Sequence, residues 1–237
     1  MPHAALITGG AKRIGRAIAL ALAEDGCDVA LHFNTSSEEA DDVAAEIRRL
    51  GRRCEQFACD LADSRQVLRL MPAVFEAMPG CDLLVNNASI FRRVGLLETD
   101  EAVYDAHFAI HCKAPFFLSR DFAGGCAGAG QIINILDTRV ADTPTAHFAY
   151  ALSKKTLYEF TRMAARALGP RIRVNAVCPG LILPPPGEDE SWLERLSADL
   201  PLKRHGGVDD VVAAVRFLLA GEFITGEAIF VDGGQHL

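Results

Sequence analysis

Seven short apolar runs alternate with longer amphipathic stretches along this chain, and no other feature limits its possible folds as tightly. The runs cover residues 3–8, 28–33, 54–59, 82–86, 131–136, 173–177 and 228–231. Most are continuously apolar rather than alternating, which is the pattern of strands covered on both faces, as in a parallel sheet. Between them, stretches such as 14–24, 38–50, 64–78 and 148–168 repeat their apolar residues at helical spacing. Strands separated by helices predict βαβ units. The expected fold is α/β: a single domain over residues 1–237, with a doubly wound parallel sheet of about seven strands and helices on both faces. Right-handed crossovers then gather the functional loops at the carboxyl ends of the strands.

Composition narrows the functional classes. Half of the 237 residues are apolar and 23% are charged, enough for one large core, with no internal repeat or low-complexity linker. A formal charge of −7 gives no reason to expect nucleic acid or an anionic membrane as partner. The basic groups Lys12/Arg13, Arg48/Arg49 and Arg52/Arg53 read as solvated helix faces. Seven cysteines, an odd number without a CxxC pair or Cys/His metal spacing, read as reduced and mostly buried thiols, and no metal is expected. No signal peptide is expected before the first strand, and no apolar stretch approaches the roughly 20 residues that span a bilayer. A cytoplasmic protein is expected.

After the first run the chain reads Thr8-Gly9-Gly10-Ala11-Lys12-Arg13-Ile14-Gly15. Glycines here permit a tight turn and close backbone approach, and the next helix aims its first N–H groups at a pyrophosphate. Gly-x-Gly-x-x-Gly is not kept strictly, because Lys12 holds the middle position, so an ordinary strand-to-helix turn stays open for this loop alone. The second run ends Leu31-His32-Phe33-Asn34-Thr35-Ser36-Ser37, with donors and no carboxylate before Glu38. An acidic residue there would bind a ribose 2′-OH; its absence favours NADPH, whose 2′-phosphate can use His32, Thr35, Ser36 and Arg13. Asp60 follows the third run, where it can serve as the N-cap of the next helix.

Two further segments carry chemistry. In Tyr150-Ala151-Leu152-Ser153-Lys154 a phenol and an amine stand four residues apart, hence on one helix face. A phenol of pKa about 10 is a poor proton donor at neutral pH, and the ammonium is expected to lower that value. Leu183-Pro184-Pro185-Pro186-Gly187 precedes the acidic helix start Glu188-Asp189-Glu190 and then Trp192. Leaving the sixth strand, it is read as a substrate lid around 183–205, with a plain surface loop as the alternative.

Thr8-Gly9-x-x-x-Arg13-x-Gly15, Asn86-Asn87-Ala88-Ser89, Tyr150-x-x-x-Lys154, Pro179-Gly180 and the ending Ile224-Thr225-Gly226 … Val231-Asp232-Gly233-Gly234 together resemble the short-chain dehydrogenase/reductase family, over essentially the whole chain and with its Rossmann-type fold. Arg13 where most relatives have glycine, and Asn-Asn-Ala-Ser followed by Phe91, resemble the pteridine reductase branch. The resemblance implies an NADPH site made of Gly9, Arg13 and Ile14 in the first loop and His32, Phe33, Asn34, Thr35 and Ser36 after the second strand. Asp60 and Leu61, Asn87, Ala88 and Ser89, and Pro179 and Gly180 would complete it, with Tyr150 and Lys154 at the nicotinamide end. Pteridine reductases often carry an arginine where Thr35 stands. Substrate would meet Arg13, Ser89, Phe91 as a stacking face, Asp137, Tyr150 and Trp192. Residues 226–237 resemble the family's assembly surface, which implies a homotetramer.

Asp137 stands 13 residues before Tyr150, where most relatives place serine. A serine hydroxyl can donate to an oxygen that becomes an alkoxide; an ionised carboxylate only accepts and would repel that charge. A carboxylate suits a C=N hydride acceptor whose nitrogen must gain a proton, and pteridine reductases carry the same Asp/Tyr/Lys trio. A turn aspartate is the plainer alternative. In His111-Cys112-Lys113-Ala114-Pro115, His111 replaces a family asparagine that holds a water near the lysine; the ring either holds that water or packs in the core. The expected activity is NADPH-dependent reduction of a dihydropterin (dihydrobiopterin, dihydromonapterin or dihydrofolate), with catalytic Asp137, Tyr150 and Lys154. The alternatives are a carbonyl or 3-oxoacyl reductase of the same fold and a catalytically silent NADP-binding regulator.

Overall fold

All seven expected strands form, and every pairing between them is parallel. The computed structural model describes residues 2–185 and 187–237, so Pro186 of the expected lid lies outside the described residues. The strands are β1 (Ala4–Ile7), β2 (Asp28–Phe33), β3 (Cys54–Ala58), β4 (Cys81–Asn86), β5 (Gly130–Ile135), β6 (Ile172–Pro179) and β7 (Ala228–Val231), in the sheet order β3-β2-β1-β4-β5-β6-β7. The chain starts in the middle and winds outward in both directions. The reversal falls between β1 and β4, where doubly wound sheets open a crevice beyond their strand ends.

Eight α-helices occur among the described residues: α1 (Arg13–Glu24), α2 (Ser37–Arg49), α3 (Ser64–Ala77), α4 (Glu101–Phe108), α5 (Ala114–Gly125), α6 (Phe148–Leu168), α7 (Glu190–Ser197) and α8 (Val208–Ala220). Helices α1, α2 and α8 cover one face of the sheet, with Ile18, Leu22, Val43 and Ile47 of α1 and α2 toward β1 and β2 and Val215 and Leu218 of α8 toward β6 and β7. Helices α3, α5 and α6 cover the other, with Val67, Met71, Leu118 and Phe122 against Leu6, Leu84 and Ile132. Each such side chain contributes about 1.5–3 kcal/mol by leaving water, which is why the strands carry no polar alternation. In α6 the buried residues Tyr150, Ser153, Lys154, Leu157 and Thr161 recur at helical spacing, so one inward stripe is apolar at its far end and reactive at its start.

Two departures from regular helix bear on the site. A π-turn, Ala109–Lys113, joins α4 to α5 and turns His111 inward to 1% exposure. A short 3-10 turn, Thr138–Val140, follows β5 and is capped by Asp137. The described cysteines are all free thiols, six of them buried. No helix among the described residues is long and apolar enough to cross a membrane.

Candidate active site

The carboxyl ends of β1, β4 and β5 and the start of α6 bring most of the expected residues together. Gly9 adopts a left-handed φ of 63°, and a Cβ there would lie 3.0 Å from the Ala88 backbone. A Cβ on Gly15 would collide with the Gly9 carbonyl oxygen and reach within 2.5 Å of the Asn87 amide nitrogen. The Asn87 side chain donates to the carbonyls of Thr8 (2.9 Å) and Gly9 (3.1 Å), while the Thr8 hydroxyl accepts from the N–H groups of Asn87 and Ala88. The loop after β1 is thereby fastened to the loop after β4. The amino end of α1 carries neither a capping side chain nor an acidic residue, which leaves its first N–H groups free to face an anion.

His32 falls elsewhere than expected. It is 2% exposed; its Nδ1 accepts from the Gly9 N–H at 3.0 Å, and its Nε2–H donates to the Cys59 carbonyl at 3.0 Å. Burial lowers its pKa to about 4, so the ring is neutral and both nitrogens are occupied by backbone. His32 holds the glycine loop from behind and does not offer a cation to a 2′-phosphate. Asn34 and Thr35 remain exposed beyond β2, Phe33 and Ser36 are half-buried, and Ser36 caps α2 without using its hydroxyl. Nearby Lys12 pairs with Glu39 at 2.6 Å. Asp60 is not the N-cap of α3; Asp63 is, through the Arg65 N–H, while Asp60 accepts from the Ala62 N–H at 2.9 Å. Leu61 is buried beside it.

Arg13 takes a left-handed φ of 54°, and its guanidinium donates to the carbonyls of Pro184 (2.9 Å) and Leu183 (3.5 Å). The phosphate loop and the expected lid are therefore tied together. Downstream, Asp189 caps α7, and Trp192 lies half-buried in its first turn, stacked on no other aromatic ring among the described residues. Pro179 ends β6, and Gly180 donates to the Val231 carbonyl at 3.0 Å. A Cβ on Gly180 would meet Asp232 at 2.6 Å, so only glycine fits this crossing.

Tyr150 Oη donates to Asp137 Oδ2 at 2.7 Å. Burial, and then the charge and the hydrogen bond of Asp137, push the phenol well above its ordinary pKa. The expectation that Lys154 lowers it is thus overturned. Lys154 Nζ donates instead to the Ile135 carbonyl at 2.8 Å and lies 6.0 Å from the centre of the Tyr150 ring. Burial brings Lys154 itself down to about 8. Asp137 is at once a turn aspartate and a partner of Tyr150: its Oδ1 accepts from the Arg139 N–H at 2.8 Å, and the Arg139 guanidinium stands 3.3 Å from both carboxylate oxygens.

Phe91 is 48% exposed at the rim, edge-on to Tyr150 with ring centres 4.8 Å apart, against His147 at 4.6 Å and under the Arg139 guanidinium at 5.7 Å. Exposed Ser89 and neutral, buried His111 complete this wall. Arg139 and Ser153 were missed from the sequence. The signal for Arg139 was its place two residues after a turn aspartate; for Ser153 it was the helical i+3 position from Tyr150.

Comparison with known proteins agrees with this geometry. The family described as enoyl-(acyl carrier protein) reductase matches residues 9–236. A short-chain type dehydrogenase/reductase of Picea abies is 32% identical over 247 residues, 98% of this chain and 91% of that protein. The 3-oxoacyl-acyl-carrier-protein reductase FabG of Staphylococcus aureus is 32% identical over 244 residues, covering 100% of this chain and 99% of that one. The crystal structure of FolM, alternative dihydrofolate reductase 1 from Brucella suis in complex with NADP, superposes with a TM-score of 0.94 at 38% identity, over 98% of this chain and 94% of that one. On these matches, which span nearly the whole chain, the chain belongs to the short-chain dehydrogenase/reductase family of oxidoreductases.

Proposed function

We propose that the protein reduces a dihydropterin to its tetrahydro form with NADPH. The observation that carries this reading is the 2.7 Å bond from the Tyr150 hydroxyl to Asp137, where a carbonyl reductase needs a hydroxyl donor. The likeness to an alternative dihydrofolate reductase with NADP bound supports it.

The residues present fit the cofactor. Gly9 and Gly15 leave room that a Cβ would fill, and the uncapped start of α1 offers N–H groups to a pyrophosphate. Ile14, Asn87, Ala88, Asp60, Leu61, Pro179 and Gly180 line the remaining cradle, while Phe33, Asn34, Thr35 and Ser36 meet the adenosine end without a carboxylate before Glu38. When bound, the nicotinamide supplies hydride. Lys154, fixed to the Ile135 carbonyl, holds the nicotinamide ribose. Phe91 stacks on the substrate ring, with Ser89, Arg13 and Trp192 around its edge.

Tyr150 provides the proton. Its raised pKa keeps the hydroxyl protonated at neutral pH, ready for a substrate nitrogen that becomes basic as the adjacent carbon gains hydride. Asp137 orients that hydroxyl and, once the proton leaves, accepts an N–H of the substrate. Asp137 would oppose an alkoxide in the same place, and this separates C=N from C=O reduction. A homotetramer through residues 226–237 belongs to the same proposal.

Reduction of a 3-oxoacyl or other carbonyl group is the second reading, favoured by the likeness to FabG. The test is NADPH oxidation by purified protein with dihydropterins, dihydrofolate and a panel of ketones, with NADH in parallel. Tyr150→Phe is expected to lower dihydropterin turnover by about 10²–10⁴-fold with NADPH still bound. Turnover of ketones alone would establish the second reading instead.

A further inference from the structure

His111 lies beside Tyr150, ring edge to ring with centres 5.5 Å apart, yet its hydrogen bonds go to Ser89, Ile90 and Ser153 and to none of the groups that move protons or hydride above. The donor roles at its two nitrogens can be worked out from its neighbours. The Ile90 backbone N–H points at Nε2 from 3.2 Å, and an N–H can only donate, so Nε2 carries no proton. Ser153 has one hydroxyl proton and gives it to the Tyr150 carbonyl at 2.7 Å, so its oxygen accepts from Nδ1 at 2.8 Å. Both ends of the ring require the same neutral tautomer, protonated at Nδ1. Lys154 on α6 and His107 on α4 face it, and their charges, with burial, oppose a second proton.

The consequence falls on Ser89. Its Oγ stands 2.9 Å from Nε2, an atom that only accepts, and 3.4 Å from the Ile90 carbonyl, so the shorter contact draws the hydroxyl proton to the ring. What Ser89 presents to the cleft is oxygen lone pairs. Until it passes its proton to the substrate, the Tyr150 hydroxyl donates to the Asp137 carboxylate and turns lone pairs to the cleft as well. Before proton transfer, this side of the cleft presents acceptors to the substrate edge.

We infer that His111 is a positioning residue that turns the Ser89 hydroxyl into a hydrogen-bond acceptor and so selects a substrate edge bearing N–H groups over one bearing only C=O. The π-turn is what delivers the ring to this place, since a regular helix through 109–113 would rotate residue 111 to a different direction. The substrate half of this inference rests on the dihydropterin reading; the tautomer does not.

Two experiments separate them. Nitrogen-15 NMR of histidine-labelled protein is expected to show His111 protonated at Nδ1 and bare at Nε2, unchanged across neutral pH. The opposite tautomer, or a charged ring, overturns the inference whatever the substrate. Steady-state kinetics with a dihydropterin then compare His111→Phe, His111→Gln, Ser89→Ala and the Ser89→Ala/His111→Phe double variant. A lost neutral hydrogen bond predicts a KM about five- to tenfold higher for His111→Phe with kcat nearly unchanged. His111→Gln, whose amide can donate to Ser153 and accept from Ser89, is expected to recover most of the loss. The double variant should be no worse than Ser89→Ala. Additive losses, or an equal fall in kcat, overturn the inference. If His111→Phe fails to fold by circular dichroism, the same cycle is run with His111→Gln. If the wild type turns over no dihydropterin, the proposed function falls, and the NMR result alone decides on His111.

Discussion

Exchanging Asp137 for asparagine removes one charge and leaves the shape of the site. Asparagine Oδ1 can still accept the Arg139 N–H that closes the turn after β5. The cost to the fold is the ion pair to Arg139, whose side chain is 27% exposed, and such a pair contributes at most about 1 kcal/mol. The cost to catalysis is larger. A hydrogen bond to a charged group contributes about 1.5–3 kcal/mol, and each 1.36 kcal/mol is about tenfold in rate. Asp137→Asn should therefore lower kcat/KM for a dihydropterin by about 10- to 150-fold, read as NADPH consumption, with a small change in Tm. With Asp137's charge and acceptor gone, two of the causes that raise Tyr150 disappear, so the basic limb of the pH profile should move to lower pH. Turnover of a ketone should be unchanged or rise, because no carboxylate then opposes an alkoxide. Equal losses on both substrates, or full dihydropterin activity, would refute the role given to Asp137.

Three more perturbations follow from the same geometry. Arg13 holds a left-handed backbone that costs a non-glycine residue about 1–2 kcal/mol. Arg13→Gly should leave Tm unchanged or higher while raising KM for dihydropterin and NADPH about tenfold; an unchanged KM would show that the guanidinium serves only the Leu183 and Pro184 carbonyls. Thr35→Asp puts a carboxylate where we propose the 2′-phosphate binds, and like-charge contact costs several kcal/mol, so NADPH preference should swing toward NADH by about 100-fold; an unaltered ratio would move the phosphate elsewhere. Lys154 titrates at about 8 in the folded protein against 10.5 ordinarily, so the fold releases this proton before the unfolded chain does. Its contribution should make the protein more stable as pH rises from about 8 to 10.5, so the unfolding free energy of the wild type should rise relative to that of Lys154→Met over that window; a constant difference would contradict the burial assigned to it.

The strands were legible because each is buried on both faces, so apolar runs mark them to within about two residues. Tyr150 and Lys154 were legible because helix geometry puts residues four apart on one face, and Asp137 because the family resemblance marks its position 13 residues before the tyrosine. What stayed hidden was direction. His32 reads as one more donor at a strand end, but the sheet buries it and the backbone of Gly9 and Cys59 uses both its nitrogens. Lys154 reads as a cation beside a phenol, but its ammonium leans to the Ile135 carbonyl, and Asp137 controls Tyr150 with the opposite sign. His111 reads as a water ligand or a core ring, because a π-turn leaves no periodic signature and the groups that fix its tautomer come from two segments distant in sequence, the loop after β4 and α6.

The most direct test of the central claim follows the hydride itself. NADPH dideuterated at C4 is turned over with a dihydropterin, and the product is read by mass spectrometry and proton NMR. The account predicts one deuterium on the ring carbon of the former C=N bond and a solvent proton on its nitrogen, with both lost in Tyr150→Phe. An unlabelled pterin recovered beside a deuterated alcohol from a competing ketone would contradict it.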